Sequence, residues 1–198
     1  AAAKPQLITP TFVLAWVANF SQFLVFYLFV TTMALYAVES FGASDTAGGF
    51  ASSAFVLGAT CMRVFSGWIV DRVGHKKAAL ASLAFVTVVA VAYFFAHNVA
   101  VLIIVRMVHG AAYALTSTAL MAVAQSVIPH ERRAEGTGYF ALGTTLATAF
   151  GPAIGLLLAN NIGYTTLFAV ALGANIVSLI LALVLRYPAE VSSEKPDR

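Results

Sequence analysis

The chain has 198 residues, 61% of them hydrophobic and 10% charged, with a mean hydropathy of +0.90. A water-soluble domain of that length cannot hide so much apolar surface, so the composition specifies an integral membrane protein. The net charge of +3 comes from basic residues dispersed among loops, which argues against a nucleic-acid partner, and the lone Cys61 excludes an internal disulfide.

Long apolar runs, rather than short alternating strands, select helices as the spanning element. At about 20 residues per span there is room for six, which the runs place at about 11–37, 46–70, 77–96, 99–127, 134–159 and 165–185. Residues 1–10 form an N-terminal segment, 11–187 the helical bundle, and 188–198 a polar linker or tail. The start, Ala1-Ala2-Ala3-Lys4, lacks Met and reads as trimmed, and no signal-peptide cleavage pattern precedes the first span. Pro10 suits the first turn of helix 1, and Ser44 or Asp45 caps helix 2.

Helix 1 carries Asn19, Gln22, Phe23 and Phe26 on one face, amides and aromatics that suit a mostly apolar ligand with a polar group. Amide-mediated helix packing is the alternative. It holds no acid between Pro10 and Ala37. Helix 2 contains Arg63, one of two basic residues within spans; it serves either a gating ion pair or simple snorkelling to the interface. The stretch from Gly67 to Leu80 then joins helices 2 and 3 through a short basic loop, with Gly67 expected to admit a close helix neighbour. Asp71 there opposes the dipole of its own helix and would be better placed at the N-terminus of another. Topology and lipid headgroups alone would account for Arg72, Lys76 and Lys77.

In helix 4, Arg106, His109, Gly110, Tyr113 and Ser117 share a face, a polar stripe that belongs on a cavity rather than on lipid. Arg106 is the leading candidate for a central site, with backbone carbonyls as its alternative partners. His109 titrates in the physiological range, so it serves as a proton carrier or as an interhelical hydrogen-bonding group. Helix 5 reads Gly143-x-x-x-Ala147-x-x-x-Gly151-Pro152-x-x-Gly155, a smooth ridge for another backbone with a proline that removes a helix hydrogen bond and should kink the helix. Helices 3 and 6 are nearly featureless and are the natural lipid-facing members. Polar helices 1 and 4, small-residue helices 2 and 5 and bland helices 3 and 6 repeat with a period of three, as two three-helix repeats would.

Of eleven Lys and Arg, nine (Lys4, Arg72, Lys76, Lys77, Arg132, Arg133, Arg186, Lys195 and Arg198) fall in the terminal segments and the 2–3 and 4–5 loops. The positive-inside rule then puts both termini in the cytoplasm, in agreement with an even number of spans.

The sequence Gly67-x-x-x-Asp71-Arg72-x-Gly74-His75-Lys76-Lys77 resembles the signature loop of the major facilitator superfamily, with His75 where that family has Arg. Arg106-x-x-x-Gly110 is similar to its helix 4 element. The helix 5 stretch resembles its antiporter motif, with Ala147 and Leu156 as departures. The resemblance implies an all-α membrane protein whose six transmembrane helices are the N-terminal bundle of a proton-coupled drug or sugar exporter of the multidrug-resistance type. It implies a loop that latches the two halves, with Asp71 and Arg72 inheriting that role, and Arg106 and His109 as candidates for proton coupling. It also implies a second six-helix half, the bilayer, protons and a small molecule as partners, and the cell inner membrane as location. The chain would then be a truncated half, one piece of a split protein or a half-transporter that pairs with itself. A binding or assembly module without transport is the alternative function. Neither a His-Glu-x-x-His metal element nor a phosphate loop is present, so no cofactor, metal site or enzymatic activity is expected.

Overall fold

The computed structural model describes residues 6–187. Lys4, Lys195, Arg198 and the tail at 188–198 lie outside them. Among the described residues, six helices are long and apolar enough to cross a membrane. They are α1 (Pro10–Phe41), α2 (Asp45–Val73), α3 (His75–Ala92), α4 (Val99–Val127), α5 (Arg133–Asn161) and α6 (Tyr164–Val184). Short 3-10 turns extend α3 (Tyr93–Phe95) and precede α5 (His130–Arg132).

The ends follow local chemistry. Thr9 and Ser44 accept hydrogen bonds from the backbone amides of Phe12 and Ala47, capping α1 and α2, and Pro10 sits in the first turn. α1 outlasts the expected end at 37 by four residues and closes on Gly42 in a left-handed conformation. Glu39 therefore lies in its last turn rather than in a loop, and accepts a 2.7 Å hydrogen bond from the Tyr164 hydroxyl of α6.

The largest departure is at the α2–α3 junction. The basic connection shrinks to Gly74 alone: Asp71 and Arg72 end α2, while His75, Lys76 and Lys77 open α3. Gly74 makes this possible with φ 91° and ψ 146°, a conformation open in practice only to glycine. Gly74→Ala is expected to destabilise the bundle by about 1–3 kcal/mol, the usual cost of such backbone strain. A thermal scan in detergent checks it.

The packing is swapped between the two halves of the chain. α2 lies mainly on α4 and α1 mainly on α5, while α3 packs on α4 and α6 on α1. Exchanging helices 1–3 with 4–6 turns each pair into its counterpart, the arrangement of two three-helix repeats. Small residues permit the close pairs. A Cβ at Gly58 of α2 would fall 1.9 Å from the Met107 carbonyl oxygen, and one at Gly110 of α4 would fall 1.9 Å from that of Phe55. Along α5, Gly143 meets the Trp16 ring, Gly151 meets Tyr27 and Gly155 meets the Leu28 backbone, with Ala147 fully buried between them. The ridge expected on helix 5 is thus the seat of α1, and α5 runs unbroken through Pro152. Gly67 differs from its expectation: nothing lies within 4 Å of a Cβ there, so it admits no neighbour within this bundle.

The few polar groups of α6 point inward, leaving its outer face apolar. Asn175 and Ser178 are fully buried. Asn175 accepts a 2.9 Å hydrogen bond from the Gln22 amide of α1, and the Ser178 hydroxyl donates to the Ala18 carbonyl. Large apolar side chains cover the outer faces, among them Val64 (75% exposed) and Val88 (66%). So much exposed apolar area fits lipid and not water.

Candidate functional site

Besides the Gln22–Asn175 pair, two groups of polar residues stand out within the described spans, at different depths. The first is a partly open cavity of about 260 Å³. α1 contributes Asn19 and Phe23, α2 Arg63, α4 Ser117, Thr118 and Met121, and α5 Phe140, Ala141 and Thr144. α3 and α6 do not reach it. Asn19 lies nine residues beyond Pro10, Arg63 ten before Val73, Ser117 ten before Val127 and Thr144 eleven beyond Arg133. At 1.5 Å per residue all four sit about 14–17 Å along the helices from the same, basic, end, near the middle of a hydrocarbon layer about 30 Å thick.

Local packing sets the walls. Gly143 and Ala147 hold α5 on α1, which brings Thr144 and Ala141 to the opening. Thr118 is tied to α2 through its 3.0 Å contact with the Ser66 hydroxyl, and bonds back to the Ala114 carbonyl at 2.8 Å. Ser117 likewise donates to Ala114, at 3.2 Å. The Arg63 guanidinium reaches across to the Ser117 oxygen at 3.5 Å, the outer limit of a hydrogen bond. Asn19 is only 3% exposed, yet its amide has no hydrogen-bond partner among the described residues. Arg63 is therefore a cavity residue, a role beyond either of its expected ones.

The second group surrounds Arg106, which is fully buried. Its Nε donates to the Ala51 carbonyl at 3.3 Å and an Nη to the Ser52 carbonyl at 2.8 Å, both on α2. Its guanidinium carbon stands 4.9 Å over the Phe55 ring and 5.9 Å over that of Phe29. Its other Nη has no partner among the described residues. His109 Nδ1 is 2.8 Å from the Tyr93 hydroxyl, and Phe29 and Phe55 pack edge-on against the His109 ring. Arg106 is seven residues beyond Val99 and Ser52 seven beyond Asp45, so this group sits about 10 Å from the opposite end.

The helix 4 stripe is accordingly split. Ser117 lines the cavity; Arg106 and His109 belong to an enclosed α2–α4 contact. Tyr113 stacks with Phe26 and meets Phe23 edge-on, in an aromatic wall completed by Phe55. Of the expected cavity residues, Asn19, Phe23 and Ser117 line it. Gln22, Phe26, Arg106, His109 and Tyr113 do not, because helix rotation turns each toward a neighbouring helix. Thr118, Met121, Phe140, Ala141 and Thr144 were not legible as site residues. Counting residues inward from the basic ends is the signal that groups Arg63, Asn19, Ser117 and Thr144.

At the basic end, Arg72 stands 5.2 Å over the Trp68 ring and Lys76 5.7 Å over that of Tyr187. Burial pushes the Tyr187 hydroxyl pKa up to about 12, so it stays protonated and donates to the Ala182 carbonyl at 3.0 Å. Asp71 is exposed and has no ion-pair partner among the described residues. Gln125, near the end of α4, ties to Thr137 of α5 at 2.8 Å. No group of three or more His, Cys, Asp or Glu positioned for a metal occurs among the described residues.

Comparison with known proteins gives a family and several relatives. The profile described as Major Facilitator Superfamily matches residues 15–198. An uncharacterized protein of Mycobacterium tuberculosis is 35% identical over 124 residues, which are 62% of this chain and 29% of that protein. The staphylopine export protein of Staphylococcus aureus is 28% identical over 158 residues, 79% of this chain and 38% of its own length. The tetracenomycin C resistance and export protein of Streptomyces glaucescens is 23% identical over 134 residues, 68% of this chain and 25% of its own. The chain thus spans well under half the length of the relatives it matches.

Proposed function

The chain belongs to the major facilitator superfamily, and from that premise we propose that it is the N-terminal half of a secondary exporter. It moves a small, largely apolar compound across the cell membrane by alternating access, in exchange for protons. The observation that carries this reading is the cavity at middle depth, walled by α1, α2, α4 and α5 and open on one side. Transporter sites lie at that depth, between bundles that rock around them. Two relatives with export in their printed names support the direction of transport.

A second six-helix bundle, from a longer chain or a second copy, closes the open side. The positive-inside rule puts the basic end, with Arg72, Lys76, Lys77, Arg132 and Arg133, in the cytoplasm together with both termini. Gly67, Asp71 and Arg72 then face the second bundle, where Asp71 can meet a helix N-terminus. The acids of the described residues all lie in terminal turns or in the 3-10 turn before α5. The carboxylate that carries the exchanged proton therefore comes from the second bundle. Arg106 and His109, which the sequence nominates for proton coupling, are assigned to holding α4 on α2.

Everted membrane vesicles test the reading with three amphiphilic dyes: neutral Nile red, cationic ethidium and anionic pyrenebutyrate. Proton-driven uptake of at least one, abolished by a protonophore, is expected. Thr144→Trp, which fills the cavity, should cut that uptake about tenfold or more at unchanged protein level. Uptake of none of the dyes overturns the reading.

A further inference from the structure

The cavity has one charge, and no acid among the described residues neutralises it. We infer that the transported compound carries an anionic group, a carboxylate foremost, which the Arg63 guanidinium receives, with the Asn19 amide as a second donor. The inference rests on the export reading above and narrows it from apolar compounds in general to apolar anions.

Three observations converge. Arg63 lines the cavity with no ion-pair partner among the described residues; its one side-chain hydrogen bond there is the long one to Ser117. A cation about 15 Å from the nearest helix end must face water or a counter-charge, and no acid on this wall of the cavity supplies the latter. Asn19 is buried, lines the same cavity and leaves its amide hydrogens free. A planar guanidinium beside a free amide suits the two oxygens of a carboxylate, which takes parallel hydrogen bonds.

The rest of the wall defines the other end of the ligand. Phe23, Met121 and Phe140 make it apolar and large enough for an aromatic or alkyl body. A permanent cation would face like charge from Arg63, with no acid on this wall of the cavity to offset it. Arg106 offers no competing anion site, because carbonyls and aromatic rings enclose it.

The test uses the purified protein, scintillation-proximity binding of radiolabelled 4-phenylbutyrate, and competition by two analogues of the same shape, 4-phenylbutyramide and 4-phenylbutylamine. Unlabelled carboxylate is expected to compete about tenfold or more better than the amide, as befits a charge-assisted hydrogen bond, with the amine weakest. Arg63→Gln should bring carboxylate and amide to equal potency without lowering the melting temperature. Arg63→Lys, which keeps the charge but loses the fork, should retain part of the preference. Equal potencies in the unmodified protein, a preference that survives Arg63→Gln, or no saturable binding by protein that melts normally each overturns the inference. The vesicle experiment separates the two claims: export of Nile red or ethidium in preference to pyrenebutyrate sinks the anionic substrate and leaves export standing.

Discussion

Gly110→Ala is expected to cost the bundle stability at the upper end of the 1–3 kcal/mol typical of overpacking, or about that, whereas Gly67→Ala should leave it unchanged or slightly raised. Both glycines lie inside helices, where alanine is intrinsically better by about 0.5–1 kcal/mol. The difference is what a methyl group meets. At Gly110 it falls 1.9 Å from the Phe55 carbonyl oxygen and 3.0 Å from the Ala59 nitrogen, both backbone atoms, which cannot rotate away. α4 would have to lift from α2 along its main contact, taking the Arg106 hydrogen bonds with it. At Gly67 nothing stands within 4 Å. Melting curves of the two variants in one detergent decide the matter; equal shifts would mean that α2 and α4 do not cross there as described.

Arg106→Met should also lower the melting temperature, in contrast to Arg63→Gln. Arg106 makes two hydrogen bonds to α2 carbonyls and stands over two rings. Charged hydrogen bonds contribute about 1.5–3 kcal/mol each and desolvated cation–π contacts about 1–2 kcal/mol. Against them stands an insertion cost of about 2.5–3.5 kcal/mol for the buried charge. The attractive side wins by at least about 1.5 kcal/mol, which methionine, with similar length but no donors, forfeits. If the melting temperature holds while transport disappears, Arg106 acts in the transport cycle and the packing role fails. Arg63 faces the cavity and is exposed in this bundle, so its loss removes no helix contact beyond the long one to Ser117.

These two arginines mark the boundary of what the sequence discloses. Span count, capping by Ser44 and the ridge of helix 5 depend on local hydropathy or on small residues at fixed spacing, and each can be read along the chain. The direction in which a polar residue faces depends on how its helix is rotated against neighbours far away in sequence. Arg63 and Arg106 look alike as single cations in apolar runs. One lies over Phe55 and the other opens into a cavity because Gly58 and Gly110 fix where α4 seats on α2. Gln22 and Asn175 illustrate the same point: 153 positions apart, they meet only after α6 docks on α1. The α2–α3 junction fails for another reason. Charge is read as loop, yet helices in the headgroup layer carry charge readily, and one glycine suffices to turn the chain.

The swapped pairing of helices has a consequence for biosynthesis. While the ribosome is still translating, α1 enters the bilayer long before α5, and α2 before α4, so neither has its principal partner. Among the first three helices α1 and α2 pack on each other, but each less than on its later partner, and α3 barely meets either. Native packing must therefore wait until the chain has been inserted nearly to its end, and the separation of partners along the sequence makes that step slow. Through that interval the Ala51 and Ser52 carbonyls of α2 lack Arg106 until α4 arrives, and the faces of α1 and α2 that later receive α5 and α4 stand open to other membrane segments. A nascent chain stalled after α3 should be a substrate for membrane quality control, since it holds half the helices and almost none of the fold.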